Sequence, residues 1–249
     1  MAKITFKNKE GLKLVGILDR PKNKTKTCII LCHGRSGRKN EQGLVLLADG
    51  LVKAGFSTFR FDFRGHGESE GKDYEMTISG EKKDLEAAYG LLIKKGYNKF
   101  GLLATSFAGV VVSYFSPKHK KIRALTLLCT RLDFSSYYKS YIGKKEEKLL
   151  KSQGFIQMSN NFRGGKKLFE ETLKVNPIIE LRKLNIPIMF VHGDKDSYVP
   201  YKESVKYSKE LKAKLVTING GQHFFIDKNR THVNQVLRAT TEFFTKTLK

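Results

Sequence analysis

Phe100-Gly101-Leu102-Leu103-Ala104-Thr105-Ser106-Phe107-Ala108-Gly109 is the stretch on which the reading of this chain turns. An apolar run of the kind that fills a buried strand stops at a lone serine, and a second apolar run of helical character follows. The residues two before and two after Ser106 are small. A serine pushed out on a tight strand-to-helix turn presents its hydroxyl above the sheet, which is the layout of a nucleophile elbow. That signature normally reads Gly-x-Ser-x-Gly, and here Ala104 and Ala108 replace both glycines. By itself Ser106 also reads as a helix cap, so its meaning depends on partners elsewhere in the chain.

The same grammar extends outward in both directions. Alternation in Ile4-Thr5-Phe6 and in Lys13 to Leu18 predicts two antiparallel strands, with the turn at Asn8 to Gly11. Thr27 to Cys32, Phe56 to Phe63, the run ending at Thr105, and Ile122 to Cys129 are short, apolar, strand-like segments. Glu41 to Ala54 and Thr77 to Lys95 have helical spacing between them, and a further helix is expected from Ser106. After Asn176-Pro177 opens a short helix, Ile186 to Val191 reads as a strand and Tyr201 to Leu211 as a helix. Lys214 to Ile218 is another strand, and Asn229 to Leu248 a closing amphipathic helix. Strands alternating with helices imply an α/β fold: a mostly parallel central sheet with helices on both faces. In such sheets ligands gather at the carboxyl ends of the strands.

The rhythm breaks between about Arg131 and Val175. That stretch holds Tyr137, Tyr138, Tyr141, Phe155, Phe162 and Phe169, with a helical Glu146 to Lys151 and a hairpin pattern turning at Ser159-Asn160. An insertion of this size reads as a lid over a single domain spanning 1–249, with 131–175 as the lid. Its rings serve as lid packing, substrate contact, or both; Tyr137, Tyr138, Phe155 and Phe162 are the candidate substrate contacts.

Composition narrows the classes further. The chain has 249 residues, long enough for one large core, and no apolar stretch long enough to span a bilayer. The N-terminus lacks the apolar centre of a secretory signal, which with three unclustered cysteines predicts reduced thiols and a cytoplasmic setting. The net charge of +23 is spread along the chain without the interleaved aromatics of a nucleic-acid module. It reads as a solvated surface, or as attraction for anionic or polymeric substrate surfaces, with no specific nucleic-acid partner and no membrane span. His and Cys are scattered, so no metal is expected.

Three residues sit after successive strands: Ser106, Asp196 in His192-Gly193-Asp194-Lys195-Asp196, and His223 in Gly221-Gln222-His223-Phe224-Phe225. The order Ser, Asp, His matches a catalytic triad in which a His accepts the serine proton and a carboxylate orients the imidazole. With Leu31-Cys32-His33-Gly34, with Phe61-Asp62-Phe63-Arg64-Gly65-His66-Gly67-Glu68-Ser69 and with Val199-Pro200, the chain resembles α/β-hydrolase fold serine hydrolases. The likeness is to the group of esterases, monoacylglycerol lipases and serine aminopeptidase-like enzymes. Within that group it looks most like cinnamoyl or feruloyl esterases.

The resemblance implies a serine carboxylic-ester hydrolase working through an acyl-enzyme on small aryl or hydroxycinnamoyl esters, without a cofactor. Its substrate would be a small-molecule ester. The catalytic residues implied are Ser106, Asp196 and His223, with the backbone N–H groups of Arg35 and Phe107 as the oxyanion hole. Position four before Pro200 selects Asp196 over Asp194. The Arg35 side chain either lies at the surface, the ordinary state for arginine, or points into the site and favours acidic substrates. His33, His66 and His192 are read as loop organisers, His119 and His232 as surface residues, and Asp62 as structural. A peptidase or amidase of the same fold, and a catalytically silent ligand-binding relative, are the rival readings.

Overall fold

The N-terminal alternation forms a hairpin in the computed structural model, which describes residues 1–135, 137–159, 161–223, 225 and 230–249. Strand β1 (Ala2–Lys7) pairs antiparallel with β2 (Lys13–Asp19), and the Asn8 side chain closes the turn by accepting from the Glu10 and Leu12 N–H groups. The chain continues through β3 (Thr27–Cys32), α1 (Gln42–Lys53), β4 (Ser57–Phe61), α2 (Ile78–Lys94), β5 (Lys99–Thr105), α3 (Ala108–Phe115) and β6 (Ile122–Leu128). An inserted segment follows, with α4 (Tyr137–Tyr141), α5 (Lys144–Ser152), the hairpin β7 (Phe155–Ser159) and β8 (Phe162–Gly165), α6 (Lys166–Thr172) and α7 (Pro177–Arg182). The sheet resumes with β9 (Ile188–Gly193), α8 (Tyr201–Glu210) and β10 (Lys214–Ile218), and α9 (Thr231–Leu248) closes the chain.

The main sheet runs β1-β2-β4-β3-β5-β6-β9-β10. Only β2 runs against its neighbours, and the pairs from β4 to β10 are all parallel. Strand β3 shows why such runs carry no polar alternation. Cys28, Ile30 and Cys32 pack into one core with Leu85, Leu92 and Val111, under α2 and α3. Ile29 and Leu31 pack into the other with Leu44, Leu51 and Phe244, under α1 and α9. Both faces are dry, so both need apolar side chains. The fold is therefore the α/β-hydrolase arrangement expected, with helices on both faces.

Helix α2 starts where its cap requires, with the Thr77 side-chain oxygen accepting from the Gly80 N–H at 2.9 Å. The expected helix from Ser106 begins two residues later, because Ser106 is held in the turn. Helices α4 and α6 are absent from the sequence expectations. Both are short and lie in the insertion, where burial against neighbours outweighs periodicity. Asn160, placed in the expected hairpin turn, Phe224, and Asn229, the expected start of the last helix, lie outside the described residues. All three cysteines are buried and free, and among the described residues no helix is long and apolar enough to cross a membrane.

Candidate active site

Strand β5 ends at Thr105, and Ser106 carries the chain round into α3 with φ +49°, a left-handed conformation rare for a residue with a side chain. Its N–H donates to the Leu128 carbonyl at 2.9 Å, so the end of β6 holds the strained turn in place. Beside it runs the loop after β3. A methyl group on Gly34 would lie 2.9 Å from Ser106 Cβ and 3.2 Å from the Thr105 carbonyl oxygen. Glycine is what lets that loop pass next to the serine.

Two buried histidines shape this loop. His33 Nε2 accepts from the Phe63 N–H at 3.0 Å, so its Nδ1 carries the proton and donates to the Gly34 carbonyl at 2.8 Å. Burial, helped by the neighbouring His66, pushes the His33 pKa down to about 3 and keeps the ring neutral. His66 repeats the arrangement, accepting from the Ser36 N–H and donating to the Arg64 carbonyl. Asp62 is fully buried, paired with Lys39 and accepting from the N–H groups of Lys39 and Glu68, which matches its structural reading.

Ser106, His223 and Asp196 form one hydrogen-bonded line. Ser106 Oγ is 3.0 Å from His223 Nε2, and His223 Nδ1 is 2.7 Å from Asp196 Oδ2. Asp196 Oδ1 accepts from the Tyr198 and Val199 N–H groups. Burial alone would push this carboxyl up, but the hydrogen bonds from His192, His223 and Val199 outweigh it and hold Asp196 far below the ordinary carboxylate range. Asp194 instead accepts from the Gly220 N–H at 2.7 Å, pinning the turn that leads to His223.

His192 does more than organise its loop. Its Nε2 faces Asp196 Oδ2 at 3.0 Å and the Val199 carbonyl at 3.2 Å. Both are acceptors, so Nε2 carries the proton, and Nδ1 takes one from the Ser204 hydroxyl at 2.7 Å. Two imidazoles thus donate to one carboxylate oxygen. The expectation of scattered His and Cys gives way here, because the fold brings Cys129, His192 and Asp196 close enough to share an ion. His192 offers that centre a proton rather than a lone pair, which suits hydrogen bonding rather than metal ligation.

The Arg35 and Phe107 N–H groups flank Ser106 in sequence and loop position, and neither has a hydrogen-bond partner among the described residues. Both residues line a cavity of about 530 Å³ that also exposes Ser106 and His223. Another cleft, of about 600 Å³, opens between Ile188, Lys214 and Phe243 at the amino ends of β9 and β10. Sheet polarity separates the two, since the serine cavity lies at the carboxyl ends, where an open α/β sheet gathers its ligands.

The aromatic contacts need correction. Tyr137 lines the cavity, whereas Tyr138, Phe155 and Phe162 are not on its lining. Tyr137 and Tyr141 are four apart on α4 and share a face, and Tyr138 turns away to meet Phe169 edge-on. Phe155 stacks on Tyr74 at 4.9 Å, and Phe162 is buried against His66. Tyr141 and Tyr198 are lining rings that the sequence reading missed; recognising α4 as a helix would have paired Tyr141 with Tyr137. The Arg35 side chain is also not at the surface. It is half-buried, with Nη1 donating to the Tyr137 hydroxyl at 2.6 Å and Nη2 to the Tyr141 hydroxyl at 3.1 Å.

Comparison with known proteins gives a consistent picture. The family model described as serine aminopeptidase, S33 matches residues 23–155, just over half of the chain, and the prolyl oligopeptidase family matches residues 141–249. The Est1E structure from Butyrivibrio proteoclasticus with bound ferulic acid superposes with a TM-score of 0.88 at 25% identity, covering 98% of this chain and 99% of that one. The uncharacterized protein YfhR of Salmonella typhimurium is 25% identical over 236 residues, 87% of this chain and 73% of that protein. An uncharacterized 31.7 kDa Escherichia coli protein is 30% identical over 100 residues, 39% of this chain and 35% of that protein, so the match spans about a third of that relative.

Proposed function

The chain belongs to the serine aminopeptidase, S33 family of α/β-hydrolases, and from that premise we propose that it is a serine carboxylic-ester hydrolase with Ser106, His223 and Asp196 as its triad. The observation that carries this is the unbroken line from Ser106 Oγ through His223 to Asp196, with bonds of 3.0 and 2.7 Å. In the proposed first step Oγ attacks the ester carbonyl carbon while its proton passes to His223 Nε2. The carbonyl oxygen becomes an oxyanion and meets the free N–H groups of Arg35 and Phe107, the second of which opens α3. Collapse breaks the ester bond, and the leaving alcohol takes the proton from His223. Water then repeats the sequence on the acyl-enzyme and releases the acid.

The substrates proposed are small aryl or hydroxycinnamoyl esters. Support comes from the ring-lined cavity, where Phe107, Tyr137, Tyr141 and Tyr198 gather, and from the likeness to a ferulate-bound esterase. The 131–175 segment is proposed as a lid on a single domain; it supplies Tyr137 and Tyr141 to the cavity wall. The family description raises an aminopeptidase as the second reading. Such an enzyme must hold a substrate ammonium, but among the described residues the lining carries Arg35, Arg131 and Arg230 against one carboxylate, Glu41. That balance repels a cation and favours the esterase.

Replacing Ser106 with Ala should lower kcat for 4-nitrophenyl esters by roughly 10³-fold or more, with aminoacyl anilides turned over poorly by both proteins. Near-native ester turnover in Ser106→Ala, or loss of fluorophosphonate labelling from the unmodified protein, would overturn the assignment; the latter would favour a silent ligand-binding relative.

A further inference from the structure

The backbone N–H of Arg35 serves the proposed oxyanion hole, but its side chain is placed for something else. The guanidinium is held by neutral groups. Besides the two tyrosine hydroxyls, the Tyr141 ring centroid lies 5.1 Å from the guanidinium carbon and that of Phe162 5.9 Å. Burial pushes the Tyr137 phenol up to about 12, so it stays protonated near neutral pH and leaves the cation unneutralised.

Among the described residues no carboxylate pairs with Arg35, whereas the other buried or half-buried arginines, Arg60, Arg64, Arg131 and Arg163, each have one. A partly desolvated charge without a counter-charge is unfavourable until an anion joins it. Arg131, on the same cavity wall, is already engaged by Glu203 and the Tyr198 carbonyl. Glu41, the carboxylate among the described lining residues, makes no ion pair with Arg35, and burial pushes its pKa up.

We propose that Arg35 is the counter-ion site for a substrate anion, so that the preferred substrates are half-esters of dicarboxylic acids, with a free carboxylate a few bonds from the scissile carbonyl. The inference rests on the serine-esterase reading. Gly34 lies against Ser106 and Arg35 is the next residue, so the side chain starts beside the serine and lines the same cavity. A carboxylate matches both the planar guanidinium fork and its single positive charge.

The test is a matched pair, mono-4-nitrophenyl adipate and 4-nitrophenyl hexanoate, equal in acyl length and differing in the terminal carboxylate. The kcat/KM ratio of the first to the second should exceed about ten and fall as salt rises. Arg35→Met should bring that ratio down by roughly tenfold or more, while Arg35→Lys, which keeps the charge without the fork, should keep part of it. Taking the ratio removes any loss common to both esters, including damage to the oxyanion hole. A ratio at or below one, or one unchanged in Arg35→Met, overturns the proposal.

If neither ester is turned over, the serine-esterase reading has failed instead, and binding still decides on Arg35. In Ser106→Ala, calorimetry should show monomethyl adipate binding about tenfold tighter than dimethyl adipate, with the difference lost on adding Arg35→Met. Equal affinities sink the proposal.

Discussion

Asp196 is held from four directions at once. Two backbone N–H groups fix one oxygen and two imidazoles fix the other, so the carboxylate has a single orientation in which to receive His223. His192 is the unexpected member of that set: it does not itself line the cavity, and it reaches Ser106 and His223 only by way of Asp196. In the proposed mechanism it is a positioning residue. His192→Gln should lower kcat on aryl esters by about tenfold, the effect of one hydrogen bond to a charged group, with KM changed by less than about twofold. Steady-state kinetics decide it, and a change confined to KM would remove His192 from the proposed mechanism.

At the scale of elements, the elbow shows where close packing is needed. Ala104 and Ala108 are fully buried, and their methyl groups are part of the core. The tight contact falls one residue on. A methyl on Gly109 would lie 2.6 Å from Thr130 Cβ, closer than side chains pack, because the first turn of α3 crosses the end of β6 there. Gly109→Ala should destabilise the protein by about 1–3 kcal/mol, and each kcal/mol should lower Tm by about 2–4 °C. Thermal unfolding measures this, and an unchanged Tm would mean that Thr130 yields. The insertion is tied down by comparable devices: Arg163 of β8 grips Asp73 with both its backbone N–H and its guanidinium, and Glu171 of α6 accepts from Ser79 at the start of α2.

Across the whole molecule, the parallel sheet sends each strand's carboxyl end to the same side, which brings residues from Gly34 to His223 to one cavity. The fold also carries a cost unrelated to the site. Glu81 on α2 is buried, and desolvation, with Asp84 beside it, raises its pKa well above the ordinary carboxylate range despite the nearby Arg64. The native state therefore holds a proton that the unfolded chain gives up above about pH 4.5, so stability declines as pH rises from there towards the folded-state pKa. Glu81→Gln keeps the shape without the proton. Its urea midpoint should equal that of the parent protein near pH 4 and exceed it increasingly towards pH 8; parallel curves would show that Glu81 is ionised in the fold.

Sequence alone determined what local chemistry dictates. The continuous apolar run Thr27–Cys32 announced a doubly covered strand, because a buried parallel sheet tolerates little else. The serine elbow and the order Ser106, Asp196, His223 announced a hydrolase fold, because each residue type follows a strand end. Tertiary structure decided what depends on residues far apart in the chain. It joined Asp196 to His223 and His223 to Ser106, turned Tyr138, Phe155 and Phe162 away from the cavity, and drew Arg35 under Tyr137 and Tyr141, more than a hundred residues later. Pattern along a chain reports which faces are buried; it does not report which neighbour covers them, and in the irregular insertion that neighbour sets each side chain's place.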